Sequence, residues 1–354
     1  SPVRQAFDDL TNAQLDWADM GEVYDKVIIG DDEYEFVKGR ENWRARMHEY
    51  FPDDREAIDG YLEVLYSTVR RAGLYFAEKS VPPLVSRLAG GLMRRPVMRW
   101  ASKTTRDTLE ALTMNQRLIG VLTAQWGDYG LPPGESSFFI HALIATHYLK
   151  GAAYPVGGAS RIAATIEPVI ESTGGSVITS AEVSEILVEK GRAVGVRMAD
   201  GNELRAPIII SNAGFTITFF NLLPSESAAS HGMDEVAARV RPSMSHLSLY
   251  VGIQETAAEL GLEKTNLWIY PHHDHDRNVE LFLADPNAPL PVAYISFPSA
   301  KDPDFERRCP GRATLEVVTL APYDWFRQWE DKAWMKRGDD YEELKAKLTE
   351  RMLE

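Results

Sequence analysis

Residues 154–214 constrain the fold more than any other part of this 354-residue chain. A glycine pair, Gly157-Gly158, precedes a helical pattern over 162–172, which ends at a second glycine pair. Strand patterns follow at 176–179, 183–189, 193–198, 203–205 and 207–211. Because a helix and several short strands share this block, the sequence predicts an α/β arrangement, α+β over the whole chain.

Two glycine-rich points in this block could serve a ligand. Adjacent glycines before a helix let backbone N–H groups approach an anion or a flat ring, so Gly157 and Gly158 are candidate binding residues. The strand predicted at 207–211 ends where α/β sheets usually bind ligands. Turn and cap roles also explain these glycines, and both interpretations stay open. The small residues at the end of that strand are Ser211, Asn212, Ala213 and Gly214.

The remaining chain divides into an N-terminal section, 1–150, and a C-terminal section, 224–354, on either side of a middle section, 151–223. The first section shows a strand pair around an Asp-rich turn and then helical patterns. The last offers consecutive strands without intervening helices, which predicts a largely antiparallel sheet, and ends in a helix over 339–354. The predicted strands are 247–253, 267–270, 279–283, 292–297 and 313–320.

Charge is distributed unevenly along the chain. The formal net charge is −14, which disfavours non-specific binding of nucleic acid. Residues 70–106, in contrast, carry nine basic residues and one acid among apolar and aromatic side chains. Such a stretch can lie in a membrane interface, or it can be a solvated helical face. The single cysteine, Cys309, fits a reducing compartment, so we expect a cytoplasmic protein or one attached peripherally to the cytoplasmic side of a membrane.

Histidines and tyrosines offer candidate acid–base groups. His141 and His147 lie six residues apart and face different directions on a helix, so a shared metal is not expected and burial is predicted for each. His147 is nevertheless a candidate proton donor, as are Tyr148 and Tyr154. The ligand types at 272–276 occupy a turn between predicted strands and are interpreted as a solvated loop, with no metal site.

The order Tyr-Pro-x-Gly-Gly, helix, Gly-Gly, hairpin and Ile-Ser-Asn-Ala-Gly resembles the flavoprotein family of phytoene desaturases, carotenoid isomerases and retinol saturases. Stretches at 141–152, 297–303 and 336–341 resemble the same family. The likeness implies part of an FAD-binding domain over 151–223, and a substrate domain of antiparallel sheet plus helices formed by 1–150 and 224–354. In that family the N-terminal Gly-x-Gly-x-x-Gly and a C-terminal FAD segment complete the cofactor site. Neither is present here, so we expect a middle segment of a longer protein that is inactive alone.

The resemblance also implies a function and assigns residues to it. FAD would be bound non-covalently, with Val183 beside the adenine and residues 211–214 beside the ribose and pyrophosphate. Tyr154 to Gly158 would lie where substrate meets the flavin ring, and NAD(P)H is a candidate reductant. The implied reaction moves hydride to or from a lipophilic conjugated polyene, by saturation, desaturation or isomerisation. A catalytically inactive lipid- or polyene-binding module is the alternative.

Overall fold

A computed structural model describes residues 2–240, 244–285, 287–333 and 335–354, with the side chains of Pro2 and Ala228 not included. The chain divides into two compact units, and each is described by itself. The first comprises Ser1–Thr165 with Met244–Glu354, and the second is Ile166–Ser243. The described residues combine many helices with three sheets, so the predicted α/β class is confirmed.

Strands and helices alternate irregularly along the chain. The strands are β1 (Trp17–Asp19), β2 (Val23–Ile29), β3 (Asp32–Val37), β4 (Ala153–Pro155), β5 (Val183–Glu189), β6 (Arg192–Met198), β7 (Glu203–Arg205), β8 (Ser245–Ile253), β9 (Asn266–Tyr270), β10 (Ala293–Ser296) and β11 (Ala313–Ala321). The helices are α1 (Pro2–Thr11), α2 (Arg40–Tyr50), α3 (Arg55–Ser80), α4 (Pro83–Ala101), α5 (Thr105–Glu110), α6 (Gln116–Leu122), α7 (Phe138–Tyr148), α8 (Ser160–Ser172), α9 (Ser225–Ser230), α10 (Met233–Ala237), α11 (His275–Ala284), α12 (Pro298–Lys301), α13 (Phe305–Arg308) and α14 (Asp339–Leu353).

The first unit is organised around a six-stranded sheet with the order β3-β2-β9-β10-β11-β8. Its neighbouring strands are antiparallel, as predicted, except that β2 runs parallel to β9. Since that pair joins the two ends of the sequence, the N-terminal hairpin and the C-terminal strands form one sheet. The core packs helices against this sheet, with Met47, Leu65 and Phe138 fully buried.

Helices α3 and α4 form a hairpin that carries the basic segment. The buried side chain of Glu78 on α3 accepts a hydrogen bond from Ser86 on α4 and lies within 3.8 Å of Arg94. A Cβ atom at Gly90 would come within 2.8 Å of the Glu78 carboxylate, so glycine permits the close approach of the two helices. No helix in the described ranges is long and apolar enough to cross a membrane.

The strand predicted at 279–283 is wrong, because these residues lie in α11. Asp274 caps this helix by accepting a hydrogen bond from the Arg277 N–H at 3.1 Å. The buried side chains His275, Asn278, Val279 and Phe282 follow helical spacing. The signal for a helix that the strand prediction overlooked is an N-cap aspartate followed by core-facing residues three and four positions apart.

The second unit contains a three-stranded antiparallel sheet, β5-β6-β7, whose strands were predicted at nearly these bounds. Two other predicted strands are wrong. Residues 176–179 and 207–211 form no strand, and Ile208 and Ile210 are 74% and 90% exposed instead of buried. An apolar run becomes a buried strand only when neighbouring strands pair with it, and no described strand pairs with these segments.

Candidate active site on the six-stranded sheet

One face of the six-stranded sheet changes from polar to aromatic along its strands. Asp25 pairs with Asn266, Ser296 pairs with Glu316, and Glu316 pairs with Tyr250. Since side chains two residues apart in a strand share a face, a second row lies beside this one on the same side. The second row contains Val27, Trp268, Tyr294, Val318 and Ser248.

Asp25 is a buried carboxylate held by three donors. Its oxygens accept hydrogen bonds from Gln125 Nε2 and Asn266 Nδ2, both at 2.7 Å, and from Trp268 Nε1 at 3.1 Å. Burial raises the pKa of Asp25, and these donors oppose the shift. All three hydrogen bonds stabilise the ionised form of the Asp25 carboxyl group. Through them, Asp25 connects β2 and β9 to the residues that follow α6.

Lys301 extends this network. Its ammonium group donates to Asn266 Oδ1 and, at 2.5 Å, to Ser296 Oγ. Burial lowers the pKa of Lys301 to about 8, although the nearby charges of Asp25 and Glu316 favour the protonated form. The Lys301 ammonium group therefore lies by the polar row, near the carboxylates of Asp25 and Glu316. There it can interact with a polar or anionic group at this end of the sheet.

A cavity of about 320 Å³ opens over the aromatic row. Trp268 and Tyr294 line it with their ring centroids 4.7 Å apart, and Asp128 lines it from the short helical turn Trp126–Tyr129. Tyr148, at the end of α7, lies near the Asp128 carboxyl group and stacks on Tyr24 with 5.9 Å between ring centroids. Asp128 is accessible from the cavity, but the atoms packed around its carboxyl group partly desolvate it and raise its pKa to about 6, so it can exchange a proton near neutral pH.

The turn after Tyr154 is held by Asp302 of the 297–303 stretch. The fully buried Asp302 side chain accepts from the Gly157 N–H at 2.9 Å and from Arg308 at 2.5 Å. The Gly158 N–H is bonded to the Pro155 carbonyl at 3.0 Å, so the protein itself uses both glycine amides. Their φ angles, +90° and +89°, explain why glycines stand here.

Tyr154 lies near the polar row and not beside Tyr148. Burial raises its pKa, and the negative charges of Asp302 and Glu316 add to that shift. Three of the predicted catalytic or binding residues therefore gather at the polar end of the sheet, with Tyr148 at its aromatic part. The three are Tyr154, Gly157 and Gly158.

The two histidines of α7 differ from each other. His141 is buried as predicted, with Tyr61 Oη 2.8 Å from Nε2 and Tyr129 Oη 3.0 Å from Nδ1. Burial lowers its pKa to about 3, so it stays neutral. His147 is exposed, and the expectation that it is buried is wrong. Its helix position faces away from the core because the buried face of α7 passes through His141, Ala142 and Thr146. Its role as a proton donor stays a prediction.

The histidine-rich segment 272–276 is not a solvated loop. Arg106 lies 2.5 Å from Asp274 and 2.6 Å from Asp276, and the His275 ring is buried against the Gly120 carbonyl at 2.8 Å. The segment thereby anchors the start of α11 to the helical part of the first unit. Among the described residues, no group of three or more His, Cys, Asp or Glu side chains is arranged to hold a metal ion.

The other candidate cofactor residues belong to the second unit. Val183 begins β5, which lies at the edge of its sheet. Residues 211–214 are exposed and form neither helix nor strand, and Gly214 has a φ of +89° with open space where a Cβ atom would lie. The backbone at both places is therefore open to a ligand. Their assignment to a cofactor stays a prediction.

The sequence interpretation missed Asp25, Asp128 and Lys301. Lys301 lies in the 297–303 stretch that carries part of the family resemblance. A lysine next to an aspartate within this stretch is a signal from which Lys301 could have been identified. Asp25 and Asp128 carry no motif. Asp25 becomes a candidate because the parallel pairing of β2 with β9 places it beside Asn266, and Asp128 because the Trp126–Tyr129 turn lines the same cavity as Trp268.

Comparison with known proteins relates the chain to retinoid and carotenoid enzymes. It is 35% identical over 369 residues to the all-trans-retinol 13,14-reductase of Danio rerio, with 100% of this chain and 61% of the relative covered. The human protein of that name is 33% identical over 98% of this chain and 60% of its own length. A phytoene desaturase from Cereibacter sphaeroides is 31% identical over 57% of the chain and 38% of its own length. The chain thus spans about three fifths of the length of the retinol reductases.

Solved structures share the fold. An oxidoreductase from Methanosarcina mazei superposes with a TM-score of 0.60 at 15% identity, covering 93% of this chain and 67% of its own. Putrescine oxidase bound to putrescine gives 0.54 at 11% identity, covering 94% and 65%. No family model matches the sequence. The resemblance predicted from the motifs is confirmed: along its whole length the chain is related to the all-trans-retinol 13,14-reductases, and more distantly to carotenoid desaturases and isomerases.

Proposed function

We propose that the protein containing this chain is an FAD-dependent oxidoreductase that transfers hydride between flavin and a conjugated, retinoid- or carotenoid-like polyene. The observation that carries the proposal is the 33–35% identity to retinol reductases over nearly the whole chain. The more distant relatives are named as a phytoene desaturase and a prolycopene isomerase, and both names denote enzymes for polyenes. The aromatic row and its cavity suit a flat hydrocarbon, because ring faces and aliphatic side chains pack well against one.

The residues of the second unit fit a dinucleotide cofactor. The open edge of β5 at Val183 can hydrogen-bond an adenine, and the exposed backbone of 211–214 can approach ribose and phosphate closely at Gly214. In the first unit, the Gly157–Gly158 turn would hold Tyr154 next to the flavin ring. Both glycine amides already donate hydrogen bonds within the protein, so the turn would contribute its shape and not its amides. When bound, FAD would supply the hydride, and NAD(P)H is the proposed source of electrons for reduction.

Tyr148, Tyr154 and His147 are the proposed catalytic side chains of the first unit. Tyr148 lies near Asp128, which lines the cavity, so it can influence a proton-carrying group there. Tyr154 lies by the polar row, near Glu316, where a polar end of the substrate would be bound. His147 lies in the last turn of α7, on the exposed side of the helix. It precedes Tyr148 in sequence, with 6.0 Å between the two ring centroids.

We further propose that the α3–α4 hairpin binds a membrane surface containing anionic lipids, on the cytoplasmic side. Leu84, Leu88 and Leu92 recur every four residues on α4 and are all strongly exposed, Leu88 by 80%. The exposed Arg87 and Arg95 lie on the same helix. An apolar stripe bordered by arginines can enter the interface while its cations meet anionic headgroups, and an isoprenoid substrate would be withdrawn from that surface. The lone Cys309 supports a reducing compartment.

A binding protein without catalysis is a second candidate. A protein named inactive all-trans-retinol 13,14-reductase, from Danio rerio, is 32% identical over 99% of this chain. That identity is close to the 33–35% found for the proteins named as reductases. A polyene-binding module that has lost turnover is therefore supported by the same part of the sequence.

Turnover by the complete protein separates the two candidates. The full-length gene product would be purified, loaded with FAD, reduced with dithionite under anaerobic conditions and mixed with all-trans-retinol. Flavin reoxidation together with loss of polyene absorbance is expected for the oxidoreductase. Binding of retinol without either signal, tested also with oxidised flavin and a carotene, would favour the inactive module, and absence of bound flavin would refute FAD dependence.

Vesicle binding tests the hairpin. We expect Arg87→Glu with Arg95→Glu to weaken binding to vesicles containing phosphatidylserine by about 30-fold or more, since each cation near such a surface contributes about 1 kcal/mol and two are lost. Arg277→Glu with Arg307→Glu makes the same charge change on exposed arginines elsewhere and should bind like the wild type. Equal losses in both double variants, or no loss in the first, would contradict the assignment.

A further inference from the structure

We propose that Asp128, on the wall of the cavity over the aromatic row, supplies the proton when the polyene is saturated; this inference rests on the function proposed above. Among the described residues lining the cavity over the aromatic row, Asp128 is the one that carries a carboxyl group. The other walls are mostly aromatic or aliphatic, with Trp268, Tyr294, Val292 and Val318, while Thr319 and His246 add polar groups. A polyene in this cavity therefore has one carboxyl group within its surroundings.

Several features favour Asp128 over its neighbours as the acid. Burial raises the pKa of Tyr148 far above its ordinary value, which makes the phenol a poor proton donor. Asp25 is engaged by Gln125, Asn266 and Trp268, and its carboxylate is fully buried. Asp128 lies instead on the cavity wall, where its side chain is accessible to solvent and can regain a proton.

The surroundings of Asp128 raise its proton affinity on balance. Packing around the carboxyl group raises its pKa to about 6, the charge of Asp25 adds to this rise, and the nearby Tyr148 hydroxyl opposes it. At neutral pH a carboxyl group with this pKa is close to the value at which general acid catalysis is most effective. The titratable side chains that face it are Asp25 on β2, Tyr129 beside it, Tyr148 on α7, His246 on β8, Tyr270 on β9 and Tyr294 on β10.

Saturation of one double bond requires a hydride and a proton. Bound reduced flavin would supply the hydride with its electron pair to one carbon, forming a C–H bond as the π bond breaks, and would itself be oxidised. The neighbouring carbon would take a proton from the Asp128 carboxyl group, forming the second C–H bond. Asp128 would then remain as a carboxylate until water returns a proton. In the reverse direction the same carboxylate accepts the proton.

The experiment compares variants of the full-length, FAD-loaded protein reduced with dithionite and mixed with all-trans-retinol. Asp128→Asn keeps the size of the side chain but removes its proton, Asp128→Glu restores the acid, and Asp31→Asn changes an exposed aspartate as a control. We expect Asp128→Asn to slow flavin reoxidation by polyene about 100-fold, the lower range for a general acid, with partial recovery in Asp128→Glu. FAD content should stay unchanged in every variant. Retinol binding, measured by quenching of tryptophan fluorescence, should stay unchanged as well.

The pH profile separates an acid from a merely structural residue. The wild-type rate should fall as pH rises above about 6, and Asp128→Asn should lose this dependence. A rate for Asp128→Asn within threefold of wild type, or a flat wild-type profile between pH 5 and 8, would overturn the inference while leaving the proposed function standing. Failure of the wild type to reduce any polyene would overturn both.

Discussion

Replacing Asp302 with alanine should remove the support of the Gly157 turn and destabilise the first unit. The carboxylate is fully buried and accepts from the Gly157 N–H at 2.9 Å, from the Asp304 N–H at 3.0 Å and from Arg308 at 2.5 Å. Leaving the buried Gly157 amide without an acceptor costs about 1–3 kcal/mol. Arg308 is one-third exposed, so solvent screening limits the lost ion pair to about 1 kcal/mol. The expected loss in the free energy of unfolding is therefore about 3 kcal/mol.

Urea unfolding followed by tryptophan fluorescence measures this loss. Asp324→Ala is the matched control, because Asp324 and Arg327 form an ion pair with the same 2.5 Å separation at the surface, where the side chains are 76% and 64% exposed. We expect the control to change stability by less than about 0.5 kcal/mol. Equal losses in the two variants would refute the reasoning, because burial of the Asp302 carboxylate would then contribute nothing. An unchanged midpoint for Asp302→Ala would refute the hydrogen-bond assignment itself.

Further predictions concern pH and glycine packing. Burial lowers the pKa of His275 to about 4, so the unfolded chain binds more protons between pH 4 and 6.5. Stability should fall by about 2–3 kcal/mol as pH falls from 7 to 4, and unfolding of His275→Asn should depend less steeply on pH; an identical slope would contradict this. Gly120→Ala should cost about 2 kcal/mol, because its Cβ would lie 2.6 Å from the His273 carbonyl oxygen. Gly91→Ala, in open space on α4, should instead stabilise by about 0.5–1 kcal/mol in the same unfolding assay.

The elements that local patterning predicted are those whose signals lie within a few residues. The hairpin of β2 and β3, the strands β5 to β7 and the terminal helix α14 appear close to their predicted bounds. Alternation of side chains, turn glycines and helical spacing are properties of short segments, so the chain alone carries them. The motif order also contained the family resemblance, which the comparisons confirm.

The errors occurred where the environment of a segment decides its structure. Residues 207–211 have the composition of a buried strand, yet their side chains are exposed because no described strand pairs with them. Residues 279–283 have apolar character that suits a strand or a helix, and the Asp274 cap decides for the helix. His147 and His141 are both on α7, and the direction of packing alone makes one exposed and the other buried.

The sequence by itself determined the local elements, the glycine turn at Gly157 and Gly158 and the kinship with retinol reductases. Only the tertiary structure brought Asp25 beside Asn266, 241 residues apart, and Asp128 beside Tyr148 and the aromatic row. The physical reason is that motifs record short-range backbone requirements, while the proton affinity of a carboxyl group depends on what surrounds it in space. The pairing of β2 with β9 creates those surroundings for Asp25, and the packing of the Trp126–Tyr129 turn at the cavity creates them for Asp128.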